Sequence, residues 1–216
     1  MVQGERMGEK ELVKKVSALR LGDVSKTVAE RMREFRALRR KGNRDWFSEL
    51  CFCILTANST AKLGIKIQRE LGANGFSTLS REGLTWALKR AGHRFYNTRA
   101  RFILEARKFS NLKRIIKFDS TDRAREWLVK NVKGIGPKEA SHFLRNVGHD
   151  DVAILDRHVL SLMREHGLIE QAPRTLGMKK YLEIEGRLKE LAKKVAISLG
   201  ELDLYLWYLK TGEVLK

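Results

Sequence analysis

The chain has 216 residues, enough for one large domain or two small ones sharing a core, and 43% of them are hydrophobic. Lys and Arg number 44 against 26 Asp and Glu, a formal net charge of +18 that points to a polyanionic partner, because each phosphate neutralised releases counterions. No run approaches the roughly 18 apolar residues that a membrane helix needs, and no apolar N-terminal stretch resembles a signal, so no membrane partner is expected. Cys51 and Cys53 lie in an apolar run and read as reduced core thiols, too few for a four-thiolate cluster.

Apolar residues recur at helical spacing nearly everywhere, and period-two alternation is scarce. Met32, Phe35 and Leu38 form one stripe, and Trp46 to Leu55 is apolar almost all round, the pattern of a central buried helix. Ser59 or Thr60 is placed to cap a helix running through Leu63, Ile67 and Leu71 to Gly72. Further helices are predicted at 81–91, 98–109, 121–131, 137–147, 157–166, 178–199 and 202–209. Gly92, Gly148, Gly167, Gly200 and Gly212 fall where a helix end needs a left-handed residue. The fold class is all-α, with about ten short helices.

The informative segment is Val132-Lys133-Gly134-Ile135-Gly136-Pro137-Lys138-Glu139-Ala140. Gly134 and Gly136 allow positive φ and close backbone approach, and Ile135 can plug the core beneath them. Pro137 suits the first turn of a new helix, whose buried face is Ala140, Phe143, Leu144 and Val147. Such a turn presents backbone N–H groups to a DNA phosphate, the pattern of a helix-hairpin-helix motif; an ordinary helical corner would look similar. Lys138 lies in the first turn, where the positive end of the helix dipole disfavours a second cation and favours a neutral amine. Such an amine can attack an electrophilic carbon and form a Schiff base; contact with a phosphate is the competing role. Asp156, in Ala153-Ile154-Leu155-Asp156-Arg157-His158-Val159, opens another helix. It reads equally as an N-cap and as a carboxylate that stabilises an oxocarbenium-like sugar or moves protons.

GIGPK followed by LDRHV resembles the catalytic signature of the helix-hairpin-helix DNA glycosylase superfamily, which includes endonuclease III and the 8-oxoguanine glycosylases. Its bifunctional members carry lysine at the position of Lys138, and Asp156 matches its essential aspartate. The stretches ELCFCILTANSTA, GHRFYNTRARFI, KGIGPKEASHFLRN, AILDRHVL and DLYLWYLKTG are similar to the type-2 family of archaeal and bacterial 8-oxoguanine DNA glycosylase/AP lyases. The resemblance implies two helical subdomains, with the hairpin and the active site in the cleft between them. Here these are residues 30–135, a helical barrel ending in the helix-hairpin-helix, and residues 1–29 with 136–216.

The resemblance also implies the remaining site residues. Asn58 matches the amide that fills the hole left by a flipped nucleotide, although a helix C-cap is an ordinary role for asparagine. Lys133, Gly134 and Gly136 would meet the DNA backbone. Trp207 matches an aromatic that stacks on the extruded base, and Lys216 a C-terminal lysine used in recognition; bare of the resemblance, one reads as core and the other as a loose end. An acceptor fixed opposite N7 favours 8-oxoguanine, which carries a hydrogen there, over guanine, which does not. His93, Arg94, Phe95 and Tyr96 precede a basic helix and suit a groove or a flipped base, with Phe95 taken as a base contact, though surface packing explains them nearly as well. His158 is expected to be structural. The implied partner is double-stranded DNA containing 8-oxoguanine, met by a monomer in the cytoplasm and nucleoid. No metal ligands and no organic cofactor are expected, beyond a possible monovalent cation held by the hairpin carbonyls around 132–135, as superfamily hairpins do.

Overall fold

The computed structural model describes residues 7–109, 111–116, 120–173 and 175–216, and among them there are helices and no strand. In chain order the helices are α1 (Met7–Leu21), α2 (Val24–Arg40), α3 (Asn43–Thr56), α4 (Ala61–Thr78), α5 (Arg81–Arg90), α6 (Tyr96–Ala106), α7 (Leu112–Ile115), α8 (Thr121–Asn131), α9 (Pro137–Asn146), α10 (Arg157–Glu165), α11 (Met178–Lys194) and α12 (Leu199–Thr211). A single 3-10 turn, Arg107–Phe109, follows α6. Among the described residues no helix is long and apolar enough to cross a membrane.

The chain divides into two compact units, one made of Met1–Glu34 and His149–Leu215, the other of Phe35–Gly148 with Lys216. This division differs from the expected 30–135 and 1–29 with 136–216 at residues 30–34, at 136–148, which hold α9, and at Lys216. The reason is the apolar face of α9: Ala140, Phe143 and Leu144 are fully buried against α3 and α8, and Phe143 meets Trp46 edge to face at 5.9 Å.

In the unit 35–148, α3 is the central element, buried on every side from Trp46 to Thr56, and α4, α6, α7 and α9 pack around it. Burying all faces of a helix needs apolar residues beyond one stripe, which the sequence of α3 supplies. Cys51 and Cys53 are free thiols within it, at 0% exposure, and burial pushes both well above the usual thiol range. Thr60 is the cap of α4, its side chain accepting from the Leu63 N–H at 3.2 Å. The helix does not stop at Gly72 as expected. Gly72 takes φ +58° and makes a kink, and the chain resumes helix to bury Phe76.

In the unit 1–34 with 149–215, α12 packs against α10, α11 and α1. The expected helix 178–199 ends at Lys194, and Gly200 is not its cap but lies inside α12. The left-handed residue at this junction is Ala196, and Ser198 caps α12 through the Glu201 N–H at 3.2 Å.

Candidate active site

The hairpin joins α8 to α9. Val132 ends α8, and Ile135 N–H reaches back to Val132 O at 3.3 Å. Gly134 has φ +82°, and a Cβ there would lie 2.5 Å from the Phe102 ring, so both its conformation and its surroundings require glycine. Gly136 does not use positive φ, contrary to expectation. It is the extended N-cap of α9, φ −98°, and Glu139 Oε2 accepts from its N–H at 3.2 Å. Ile135 is buried beneath the turn, and Lys133 is exposed on it.

Lys138 stands in the first turn of α9 with a side chain 28% exposed, and its ammonium lies 3.0 Å from Glu139 Oε1. Glu139 therefore has two contacts that the local sequence pattern does not assign, one closing the hairpin and one pairing with the Lys138 ammonium. One turn on, His142 is buried at 7% exposure with its Nε2 unpartnered. Burial holds His142 well below the usual imidazole range, and the Arg145 and Lys138 charges add to this, against a hydrogen bond to the Lys216 main chain.

Ala57 is the C-cap of α3, and Asn58 just past it takes the left-handed conformation, φ +57°, with an exposed side chain. Arg99 underpins that turn: it is 6% exposed and donates to Ala57 O at 2.5 Å. Its guanidinium also lies 5.7 Å from the Phe102 ring beneath Gly134. His93 fixes Phe95. Its Nε2 lies 2.9 Å from Leu55 O, and its Nδ1 accepts from the Phe95 N–H at 3.1 Å, an arrangement that needs a neutral ring. Burial accordingly lowers its pKa. Phe95 is half-buried, with Arg94 stacked 4.5 Å from its centroid.

Lys216 is not a loose end. Its ammonium meets Glu49 Oε2 at 2.8 Å and Gln68 Oε1, and it sits 4.3 Å over the Phe52 ring. Glu49 is 3% exposed and also accepts from Asn146 Nδ2 at 2.6 Å and Gln68 Nε2 at 3.1 Å. Neither Glu49, Gln68 nor Asn146 was legible as a site residue, because an acid inside an apolar helix carries no local signal of its distant partners.

Asp156 lies on the other unit, at the start of α10. Its Oδ1 accepts from the His158 and Val159 N–H groups, each at 2.9 Å, so it is the helix cap. Both cap bonds end on one oxygen, which leaves Oδ2 outside the cap. The preceding stretch 152–155 is buried and lies in no helix, and Asp156 N–H turns back to Ile154 O at 2.9 Å. Side chains accept from its N–H groups: Glu185 from Ala153 N at 2.9 Å, Asp203 from Ile154 N at 3.0 Å, and the Tyr181 hydroxyl from Leu155 N at 3.2 Å. These bonds hold Asp156 at the end of a rigid segment. His158 lies 5.0 Å edge-on to Trp207, and the indole Nε1 is buried and unpartnered. The structure thus brings Asp156, His158 and Trp207 together in one unit. Asn58, Phe95, Lys133, Gly134, Gly136, Lys138 and Lys216 belong to the other. Among the described residues no three His, Cys, Asp or Glu side chains gather as a metal site.

A strongly basic, all-α chain whose glycine hairpin starts a helix on proline and lysine is of the helix-hairpin-helix class. It belongs to the 8-oxoguanine DNA glycosylase family, whose profile matches residues 28–197. The chain is 53% identical over 206 residues to the 8-oxoguanine DNA glycosylase/AP lyase of Methanocaldococcus jannaschii, covering 95% of this chain and 99% of that one. It is 48% identical to the protein of that name from Korarchaeum cryptofilum, over 97% of this chain and 100% of the other. Its fold is similar to the crystal structure of the M. jannaschii glycosylase/lyase in complex with a 15mer DNA containing 8-oxoguanine, with a TM-score of 0.93 at 53% identity, covering 95% and 100% of the two chains. The 8-oxoguanine DNA glycosylase of Thermotoga maritima gives 0.92 at 46% identity, covering 96% and 100%.

Proposed function

We propose that this protein is a bifunctional DNA glycosylase/AP lyase that excises 8-oxoguanine from duplex DNA and nicks the strand by β-elimination. The observation that carries the reading is Lys138, a partly exposed amine in the first turn of the hairpin helix, with the Glu139 carboxylate 3.0 Å away. The ammonium passes a proton to the Glu139 carboxylate, the free amine attacks C1′ of the extruded nucleotide, and the N-glycosidic bond breaks, the base leaving with the bonding pair. The sugar ring opens to an imine between Lys138 Nζ and C1′. Loss of a C2′ proton then expels the 3′ phosphate, and water hydrolyses the imine to regenerate the amine. The Asp156 carboxylate offsets the positive charge that develops on the sugar and handles protons in the amine steps.

The other site residues bind. The hairpin backbone of Gly134 and Gly136, with Lys133, holds phosphate; the Asn58 amide fills the place of the extruded nucleotide; Phe95 and Trp207 contact the base. A main-chain oxygen of Lys216 reads the hydrogen on N7. A monovalent cation at the hairpin would be held by main-chain oxygens of residues 132–135, a donor set suited to hard cations, and would there offset phosphate charge. Val132 O already accepts the Ile135 N–H.

Borohydride reduction tests the chemistry. A covalent adduct with 8-oxoguanine duplex is expected for the native chain and none for Lys138→Gln; a trapped mutant would assign the nucleophile elsewhere. Asp156→Asn is expected to keep duplex binding, since an amide oxygen can still cap, while excision falls by at least about a hundredfold. Turnover near the native rate would leave Asp156 a cap alone. Duplexes carrying oxidised pyrimidines or mispairs in place of 8-oxoguanine test the lesion.

A further inference from the structure

The buried carboxylate of Glu49 has no part in the steps above, yet three side chains donate to it. It lies on α3 at 3% exposure and accepts from Asn146 at 2.6 Å, Gln68 at 3.1 Å and the Lys216 ammonium at 2.8 Å. Two of these donors come from the body of the unit. Asn146 Oδ1 is fixed in turn by Arg145 at 3.0 Å, and Gln68 Nε2 also reaches Ser48 O at 3.1 Å. The carboxylate is therefore oriented by α4 and α9 independently of Lys216, and together with the Phe52 ring makes a preformed receptacle for one ammonium. Burying an ion pair is a poor way to gain stability, because apolar residues of similar volume do as well or better. Its use is to fix a place. The Phe52 ring beneath the ammonium also meets His142 edge-on at 5.3 Å, and His142 sits one turn from Lys138 on α9.

We propose that Glu49, with Gln68, is a positioning residue that grips Lys216 by its ammonium and so fixes its main-chain oxygen as the acceptor that discriminates the damaged base. This rests on the proposed function for what the acceptor reads, but the grip itself stands on the contacts above. Removing the grip leaves Lys138 and the hairpin in place. It therefore impairs base selection without impairing the amine chemistry on a sugar that has already lost its base.

Two measurements on the full chain test this. In the first, lysines are acetylated with limiting acetic anhydride and read by peptide mass spectrometry, without DNA. Lys216 is expected to react severalfold more slowly than exposed Lys133 in the native chain, and at a comparable rate in Glu49→Gln and in Gln68→Leu. Equal labelling of the two lysines in the native chain overturns the grip whatever the activity. In the second, Glu49→Gln is expected to lower kcat/KM for 8-oxoguanine excision by about tenfold or more while nicking of an abasic duplex stays within about twofold of native. Lys216→Met is expected to lose excision to the same extent, with no further loss in the double variant, as befits one coupled contact. Undiminished excision in Glu49→Gln, or abasic nicking that falls in step with excision, overturns the positioning role. If Glu49→Gln does not fold, Gln68→Leu is carried through the same assays. Absence of 8-oxoguanine excision by the native chain would instead count against the proposed function, leaving the labelling result to stand by itself.

Discussion

At the scale of single residues, several of the site's side chains carry a structural task as well. Asp156 caps α10 with one oxygen and keeps the other, and Glu139 both closes the hairpin and pairs with the Lys138 ammonium. Gly134 is the sharpest case of a residue fixed by geometry: its φ of +82° strains any side chain, and Phe102 leaves no room for a Cβ. Gly134→Ala is expected to lower unfolding free energy by about 2 kcal/mol or more, read from urea melts; a cost within about 0.5 kcal/mol would mean that Phe102 and the turn relax freely. What the sequence made legible at this scale was whatever is written locally. Lys138, Gly134 and Pro137 are neighbours in the chain, so their pattern could be read. Glu49 could not, since its partners stand at 68, 146 and 216, and an acid in an apolar run states only that something must compensate it.

At the scale of elements, the buried stretch 152–155 is held by side chains from two helices far along the chain. Asp203→Ala leaves the Ile154 N–H buried without its acceptor and is expected to cost about 1–3 kcal/mol, whereas Asp203→Asn, whose amide oxygen still accepts, should cost less. Thermal unfolding of the two variants checks this, and equal losses would mean that the charge matters more than the bond. Helix existence and type followed from apolar periodicity, and the start of α9 from Pro137. Boundaries were less legible where two signals competed. Gly72 reads as an end because glycine commonly ends helices, but the helix resumes past a kink to bury Phe76. Gly200 reads likewise, while Ser198 two residues earlier holds the stronger capping chemistry.

At the scale of the whole molecule, pH acts through buried histidines. His93 and His142 are both held below the ordinary imidazole value of 6.5, chiefly by burial, so under acidic conditions the unfolded chain binds protons that the folded chain does not. Stability from these groups is complete above the unfolded value and is lost as pH falls below it, by up to about 1.4 kcal/mol per pH unit for each histidine. Urea midpoints at about pH 7.5 and 5.5 are expected to drop less for His142→Phe than for the native chain; an unchanged slope would remove His142 from the account. One feature of α3 bears on the conditions of work. Guanine becomes 8-oxoguanine under oxidants, and the same oxidants attack cysteine through its thiolate. Both cysteines of this chain are sealed in the core at 0% exposure, with burial disfavouring the thiolate, so neither is a ready target. A repair enzyme built this way has no thiol fuse: the stress that raises the demand for it does not switch it off through these cysteines.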